Sequence, residues 1–387
     1  MVKGPLSGVV VLDLTHMLAG PYCTSILYNL GARIIKVERP NGGDESRLFT
    51  PFIEGESAFF SALNHGKQSI VLDIKSDIKD KAIFEKLIRQ ADVLVENFRP
   101  GVLPRIGYDE NKLEELNPAL IVARISGFGK TGPESMRACY DLIAQGVSGL
   151  MSIIGENAMT QPLKAGVELG DLAGGFFSAI GICAALFDRT RTGKGNRIGT
   201  SLVDCLTALM VEPFSRYSVD GKVPKPSGAQ HVAIVPFDVF MAKDKAIIIC
   251  AATDALFALL CKSLGKAALA KNSKFSNNEA RLKHREELTH RMNELLKTKT
   301  AQDWLDIFAK NGVPSGPVNT IADVFREPQI QYRKMIAHFS QHDMPDVKFP
   351  GNPIKFSHYP DINEYPRGPK LNEHNDEIRA WLDDREK

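Results

Sequence analysis

Several features that would announce a function are missing from this chain. Its six cysteines (Cys23, Cys139, Cys183, Cys205, Cys250 and Cys261) include no C-x-x-C pair. That argues against a zinc site and a disulfide framework, and it fits a reducing compartment. The histidines form no H-E-x-x-H pattern, and no metal site is expected. A net charge of +2 without a long basic run gives no electrostatic case for nucleic acid. The most apolar segment, Leu172–Phe187, falls short of the eighteen or so residues that a membrane span needs. It reads as a buried helix, and no membrane partner is expected. Met1–Pro5 leads straight into a strand pattern without the regions of a signal peptide, so the expected location is cytoplasmic. There is no internal repeat and no low-complexity segment.

What is present is an ordinary globular composition, 43% hydrophobic and 24% charged, over 387 residues. That length suits two domains, or one large α/β unit with a subdomain. Gly8–Thr15 is the continuous β-branched run of a buried parallel strand. A helix over Tyr22–Leu30 and a strand over Ala32–Arg39 complete a βαβ unit, with an acidic residue closing its second strand as in dinucleotide folds. The phosphate loop of those folds is lacking, because Leu18–Pro21 has no G-x-G-x-x-G spacing. A related fold with another ligand geometry is therefore expected. Strands over Ser69–Lys75, Val93–Phe98 and Leu120–Ser126 alternate with helices over 77–90 and Glu110–Leu116. This predicts an α/β fold, a parallel sheet with helices on both faces.

Asn196–Asp204 passes into a helix over 203–218, and the Pro/Gly-rich stretch Asp220–Gly228 is the candidate domain boundary. Beyond it, Val232–Met241 and Lys245–Ala251 alternate as an antiparallel pair. Helices follow over 254–264, 279–297 and Ala301–Asn311, with Thr300 as cap and Gly312 as stop. Val313–Pro317 reads as a hinge-like return, Lys355–Ser357 as strand-like and Glu377–Asp384 as a last helix packing back on the first domain.

The chain is organised around Gly166–Phe187, where Asp171 stands at the mouth of the apolar run, and Arg189, Arg191 and Gly193 mark the helix stop. Asp171 then lies at or just before a helix N-terminus, beside unpaired N–H groups. It can be read as an N-cap. It can also be read as a nucleophile for an activated acyl carbon, with the same N–H groups holding the oxyanion. Two features favour the second reading: Gly170, Gly174 and Gly175 clear side chains from around it, and Glu168 is the sole charged residue within four positions. Arg39, Lys75, Arg99 and Arg105 collect at expected carboxyl ends of strands, the ligand edge of open α/β sheets, which suits an anionic, phosphate-bearing ligand.

A resemblance joins these pieces. Leu12–Thr15 and Leu18–Pro21, Ile35–Pro40, Gly43–Asp44, Leu72–Lys75, Val95–Gly101, Gly127–Pro133, Gly170–Gly174 and Gly312–Pro317 together resemble the class III coenzyme A transferases. Their relative α-methylacyl-CoA racemase is similar too. The resemblance runs over nearly the whole chain. It implies a large Rossmann-like, CoA-binding domain over 1–220, with 320–387 returning to it, and a small α+β domain over 225–319. It also implies an interlocked, ring-like homodimer. Asp171 matches the family's catalytic aspartate, which passes through a mixed anhydride and an aspartyl-CoA thioester.

By the same resemblance Leu18, Ala19, Arg39, Leu72, Asp73, Ile74, Lys75, Asn97, Phe98, Arg99, Arg105, Arg137 and Tyr140 would contact CoA. Coenzyme A and acyl-CoA are then substrates, with no permanently bound cofactor, and a carboxylic acid is the acceptor. Racemases carry histidine where Tyr140 stands, and tyrosine, with a pKa near 10, is a poor base at neutral pH. Formyl-CoA transferase has glutamine at the position of Leu18, and its glycine-rich lid is not found in Pro226–His231. A succinyl-CoA or similar dicarboxyl donor is therefore expected, with His231 a candidate carboxylate contact. An acyl-CoA racemase and a non-catalytic CoA-binding protein are the alternatives.

Overall fold

The structure, a computed structural model, describes residues 2–157, 159, 161–340 and 347–385. The chain forms two compact units. One comprises Met1–Met151, Lys164–Lys222 and Pro328–Lys387; the other comprises Ser152–Leu163 and Val223–Glu327. Ser152–Leu163, inside the span assigned above to the large domain, thus groups with the second unit.

In the first unit the elements run β1 (Val10–Asp13), α1 (Ala19–Asn29), β2 (Arg33–Glu38), β3 (Gln68–Val71), α2 (Ile78–Gln90), β4 (Val93–Glu96), α3 (Glu110–Leu116) and β5 (Ile121–Ser126). They continue with α4 (Asp141–Val147), α5 (Leu169–Thr192), β6 (Arg197–Ser201), α6 (Leu202–Leu209) and α7 (Val211–Asp220). The six strands pair in the order β3-β2-β1-β4-β5-β6, every pair parallel. This is the order of the dinucleotide-binding fold.

Strand side chains alternate between faces, so each strand feeds two cores. Val11, Val93, Val95, Ile121 and Ala123 meet Cys23 and Leu27 of α1 and Ala179 and Ile182 of α5. Leu12, Leu94 and Val122 meet Phe84, Leu87 and Ile88 of α2 and Leu113 of α3.

The helix α5 is longer than the apolar run in the sequence. At 24 residues it is, by length and composition, apolar enough to cross a membrane, and half of that apolar stretch is buried inside the protein. Its glycines serve packing rather than open space. A Cβ at Gly175 would stand 2.8 Å from the carbonyl oxygen of Ala19, and one at Gly174 would stand 2.6 Å from Leu202. The expectation that they clear room beside Asp171 is therefore corrected: they let α1 and α6 approach. The helix ends as its sequence predicts, at Gly193 with φ 68°.

The strand β6 was not expected, because Arg-Ile-Gly-Thr-Ser has a single large apolar residue; as an edge strand it pairs with β5 alone. Toward the C-terminus, Lys355–Ser357 is not a strand.

In the second unit, β7 (Phe237–Met241) and β8 (Ala246–Cys250) form the expected antiparallel pair. The segment read as a hinge supplies a third strand, β9 (Ser315–Pro317), against β8. Between them lie α8 (Asp254–Ser263), α9 (Arg285–Leu296) and α10 (Ala301–Lys310). The expected helix over 279–297 breaks at His284, whose φ of −115° and ψ of 28° end one helix and begin the next. Phe240, Ile247, Phe257, Leu288, Trp304 and Phe308 form this unit's core. The returning tail adds β10 (Ile336–Phe339), β11 (Lys348–Pro350), β12 (Glu364–Tyr365) and α11 (Asn375–Arg385) to the first unit.

Candidate active site

All the strands of the large sheet point the same way, so the segments leaving β1, β2, β3, β4 and β5 share one edge. Leu18–Ala19, Arg39, Leu72–Lys75, Asn97–Arg99 and the 127–140 segment are brought to that edge. The four strands β3-β2-β1-β4 span about 15 Å at the usual strand spacing. The helix α5 connects back to a parallel strand, β6, so it must start at this same edge. That places Asp171 there.

Arg39 donates to the Gly43 carbonyl at 3.0 Å and pairs with Glu45 at 2.8 Å. Leu72 is buried. Asp73 caps the turn that follows β3, accepting from the N–H groups of Lys75 and Ser76 at 3.1 and 2.9 Å. Lys75 and Arg99 are exposed and make no ion pair among the described residues. Ile74 and Phe98 pack against the α2–α3 core. The Asn97 amide is taken up by the backbone of His16, whose N–H it accepts at 3.0 Å and to whose carbonyl it donates at 2.8 Å.

A cleft of about 300 Å³ opens at the ends of β4 and β5, lined by Glu96, Phe98, Gly101, Pro104, Arg124 and Ser126 among others. Arg105 adjoins it, donating to the Gly101 carbonyl at 3.0 Å. Arg137 pairs with Glu134 at 3.1 Å. Tyr140 is the exposed N-cap residue of α4. His231 lies in the second unit, where its Nδ1 accepts the Ala233 N–H at 3.1 Å and its ring packs tilted against that of Phe237, centroids 5.2 Å apart.

Asp171 is the third residue of α5, not its cap; the cap position belongs to Glu168, which makes no side-chain cap bond. The cap comes from elsewhere. Asp141, the buried first residue of α4, accepts the N–H of Gly170 at 2.7 Å and that of Asp171 at 3.4 Å. Gln145, fully buried, donates to the other oxygen of Asp141 at 2.7 Å and accepts the Ala165 N–H at 2.9 Å. The expectation that first-turn donors stand ready for an oxyanion is thus corrected, since Asp141 engages them.

Sequence reasoning missed Asp141 and Gln145. Their spacing of four on α4 was the available signal. The consequence is electrostatic: burial first, then the charges of Asp141 and Glu168, push the Asp171 carboxyl up to about 7. No cation pairs with it, and its carboxylate has no hydrogen-bond partner among the described residues. It is a desolvated, basic carboxylate.

The dinucleotide-fold strand order, with an unpaired, partly buried carboxylate at its ligand edge, defines an α/β protein with a candidate acid site. The family model described as CoA-transferase family III matches residues 6–375. An acetyl-CoA:oxalate CoA-transferase of Acetobacter aceti is 42% identical over 97% of this chain and 95% of its own length. A succinyl-CoA:glutarate CoA-transferase of Homo sapiens is 37% identical over 97% and 85%. The crystal structure of a CAIB/BAIF family protein from Brucella suis superposes with a TM-score of 0.87 at 39% identity, covering 98% of this chain and 100% of that one. The chain belongs to CoA-transferase family III. It is a CoA-transferase, as the resemblance in its motifs implied.

Proposed function

We propose that this protein moves coenzyme A from an acyl-CoA to a carboxylic acid through covalent acylation of Asp171. The observation that carries the reading is the partly buried, unpaired Asp171 carboxylate with its pKa near 7.

An Asp171 oxygen attacks the thioester carbon, the C–S bond breaks, and CoA leaves as thiolate, giving a mixed anhydride. The thiolate then attacks the aspartyl carbon, releasing the donor acid and forming an aspartyl-CoA thioester. The acceptor carboxylate attacks that thioester and again expels CoA thiolate. The thiolate takes the acceptor's acyl carbon and frees Asp171. No proton is gained or lost overall. Holding the thiolate beside the anhydride makes its return effectively intramolecular, where effective molarities reach roughly 10⁵–10⁸ M. The cationic edge with Arg39, Lys75, Arg99 and Arg105 suits the phosphates of CoA.

One partner acid is proposed to be a diacid, since the relatives named above act on oxalate or pair succinyl-CoA with glutarate. A screen of acyl-CoA donors against mono- and dicarboxylate acceptors, read by mass spectrometry, identifies the pair. Quenching turnover with hydroxylamine or borohydride should modify the Asp171 peptide. Asp171→Ala should lose about 10⁴-fold or more in kcat while still binding CoA. Transfer that proceeds with this peptide unmodified sinks the reading. Exchange of an acyl-CoA α-proton for deuterium without any acceptor acid would favour a racemase instead.

We also infer that the first unit pairs with a second copy. The helix α7 buries none of its residues, yet it presents Val211, Phe214, Tyr217 and Val219 to solvent. Light scattering should give twice the 42.6 kDa chain mass, and Val211→Asp with Phe214→Asp should reduce it to one chain; a wild-type monomer overturns the inference.

A further inference from the structure

The segment between β1 and α1 carries Leu18 and leads into Ala19, the first residue of α1, and buried charges outside the transfer chemistry hold it from beneath. Asp13, fully buried at the end of β1, accepts the Thr15 N–H at 2.9 Å and its hydroxyl at 2.5 Å. Lys36 of β2, also fully buried, donates to the Thr15 carbonyl at 2.6 Å and pairs with Asp44 at 2.9 Å. Asp44 in turn accepts the Met17 N–H at 3.0 Å, through the oxygen that also takes the N–H and hydroxyl of Ser46. Burial by itself would raise the pKa of Asp44; Lys36 and these N–H donors outweigh it and hold the carboxyl below its usual range.

Met17 sits at φ 69°, in the left-handed region that residues with a Cβ rarely adopt. Packing does not impose this, because the side chains of His16, Met17 and Leu18 are only partly buried. Hydrogen bonds do: Asn97 holds the peptides on both sides of His16, and Asp44 holds the second of them from its other end, through the Met17 N–H. The geometry is felt at α5. The Ala19 carbonyl lies against Gly175, one turn beyond Asp171 on the same face of the helix.

We propose that Asp44 is a positioning residue for acyl transfer, holding the Met17 peptide left-handed so that the Leu18–Ala19 backbone stays against the Asp171 face of α5. The proposal rests on Asp171 being the nucleophile. Lys36 neutralises the buried carboxylate and so makes it tolerable there. A carboxylate suits the position because it only accepts hydrogen bonds, and three donors converge on one of its oxygens.

Asp44→Ala tests this. Hydrogen exchange at the Met17 amide should accelerate about 100-fold, and this readout needs no activity. The kcat per site, with sites counted by trapped acyl-Asp171, should fall about 100-fold, while KM for acyl-CoA shifts less than about threefold. Adding Met17→Gly should restore kcat about five- to tenfold, because glycine adopts positive φ without a Cβ penalty. A merely structural role would lower the number of active sites and leave the kcat of each unchanged. If Asp44→Ala does not fold, Lys36→Met with Asp44→Leu removes the pair together, leaves Asp13 paired with Lys67 at 3.0 Å, and carries the same measurements. Unchanged Met17 exchange, a kcat per site within about twofold of wild type, or no recovery with glycine at 17 overturns the proposal. Wild-type transfer without acylated Asp171 would instead overturn the nucleophile reading, and the exchange measurement still decides whether Asp44 holds the loop.

Discussion

The Asp171 carboxyl should make the folded protein less stable as pH rises, and Asp171→Asn should abolish that effect. Its native pKa of about 7 lies well above the ordinary 3.8. Between those values the native state keeps a proton that the unfolded chain has released, so stability falls as pH rises toward 7 and then levels off. Each pH unit is worth about 1.4 kcal/mol, which makes the ionised carboxylate cost about 4 kcal/mol at pH 8. Asparagine has nearly the same shape and cannot ionise. Its advantage over the parent should therefore grow by about 3 kcal/mol between pH 5 and pH 8.

Urea unfolding gives the comparison directly, because the chain has two tryptophans, one in each unit. Trp381, stacked on Arg33 at 4.4 Å, reports the first unit, and a Trp304→Phe background silences the second. An advantage that is equal at pH 5 and pH 8, or a variant less stable than its parent throughout, would refute the claim that burial and like charge hold this carboxyl protonated.

Asp141→Asn retains an acceptor for the Gly170 N–H but removes the second-largest cause of the raised Asp171 pKa. The acid limb of kcat/KM should move down by about one pH unit; an unmoved limb means that Asp141 acts through geometry alone. Gly175→Ala would drive a methyl to 2.8 Å from a backbone oxygen of α1. It should cost about 1–3 kcal/mol in the Trp381-monitored transition, and a neutral result would show that α1 and α5 can part freely.

The sheet was legible in the sequence wherever strands are buried on both faces. Residues 93–95 and 120–123 are continuous apolar runs, and their order follows from alternation with helices. The polar edge strand Arg197–Ser201 escaped because it packs on one side only. Asp171 was found because it interrupts an apolar run. Its cap was not, since that arrives from Asp141, thirty residues earlier, and local spacing does not register partners at that distance. The buried charges escaped for the same reason. In sequence, Asp13, Lys36 and Asp44 look like ordinary solvated residues, and only the parallel pairing of β1 with β2 brings Asp13 and Lys36 together beneath one loop.

The pKa of Asp171 bears on why a carboxylate can serve this chemistry in both directions. In each half-reaction of the proposed mechanism the aspartyl acyl group must form bonds and then release them, to CoA and to an ordinary carboxylic acid. Ordinary carboxyls titrate near 4 and thiols near 8.5. A nucleophile of pKa about 7 lies between them: more basic than the donor acid that the thiolate later expels, less basic than that thiolate. A carboxylate left at the bare positive end of α5 would be pulled toward the acid end of that range. By occupying those N–H donors and adding a like charge, Asp141 shifts Asp171 toward the middle, where neither the proposed anhydride nor the proposed thioester would become a thermodynamic trap. Restoring an ordinary pKa at position 171 should therefore slow the first acylation more than the return of CoA.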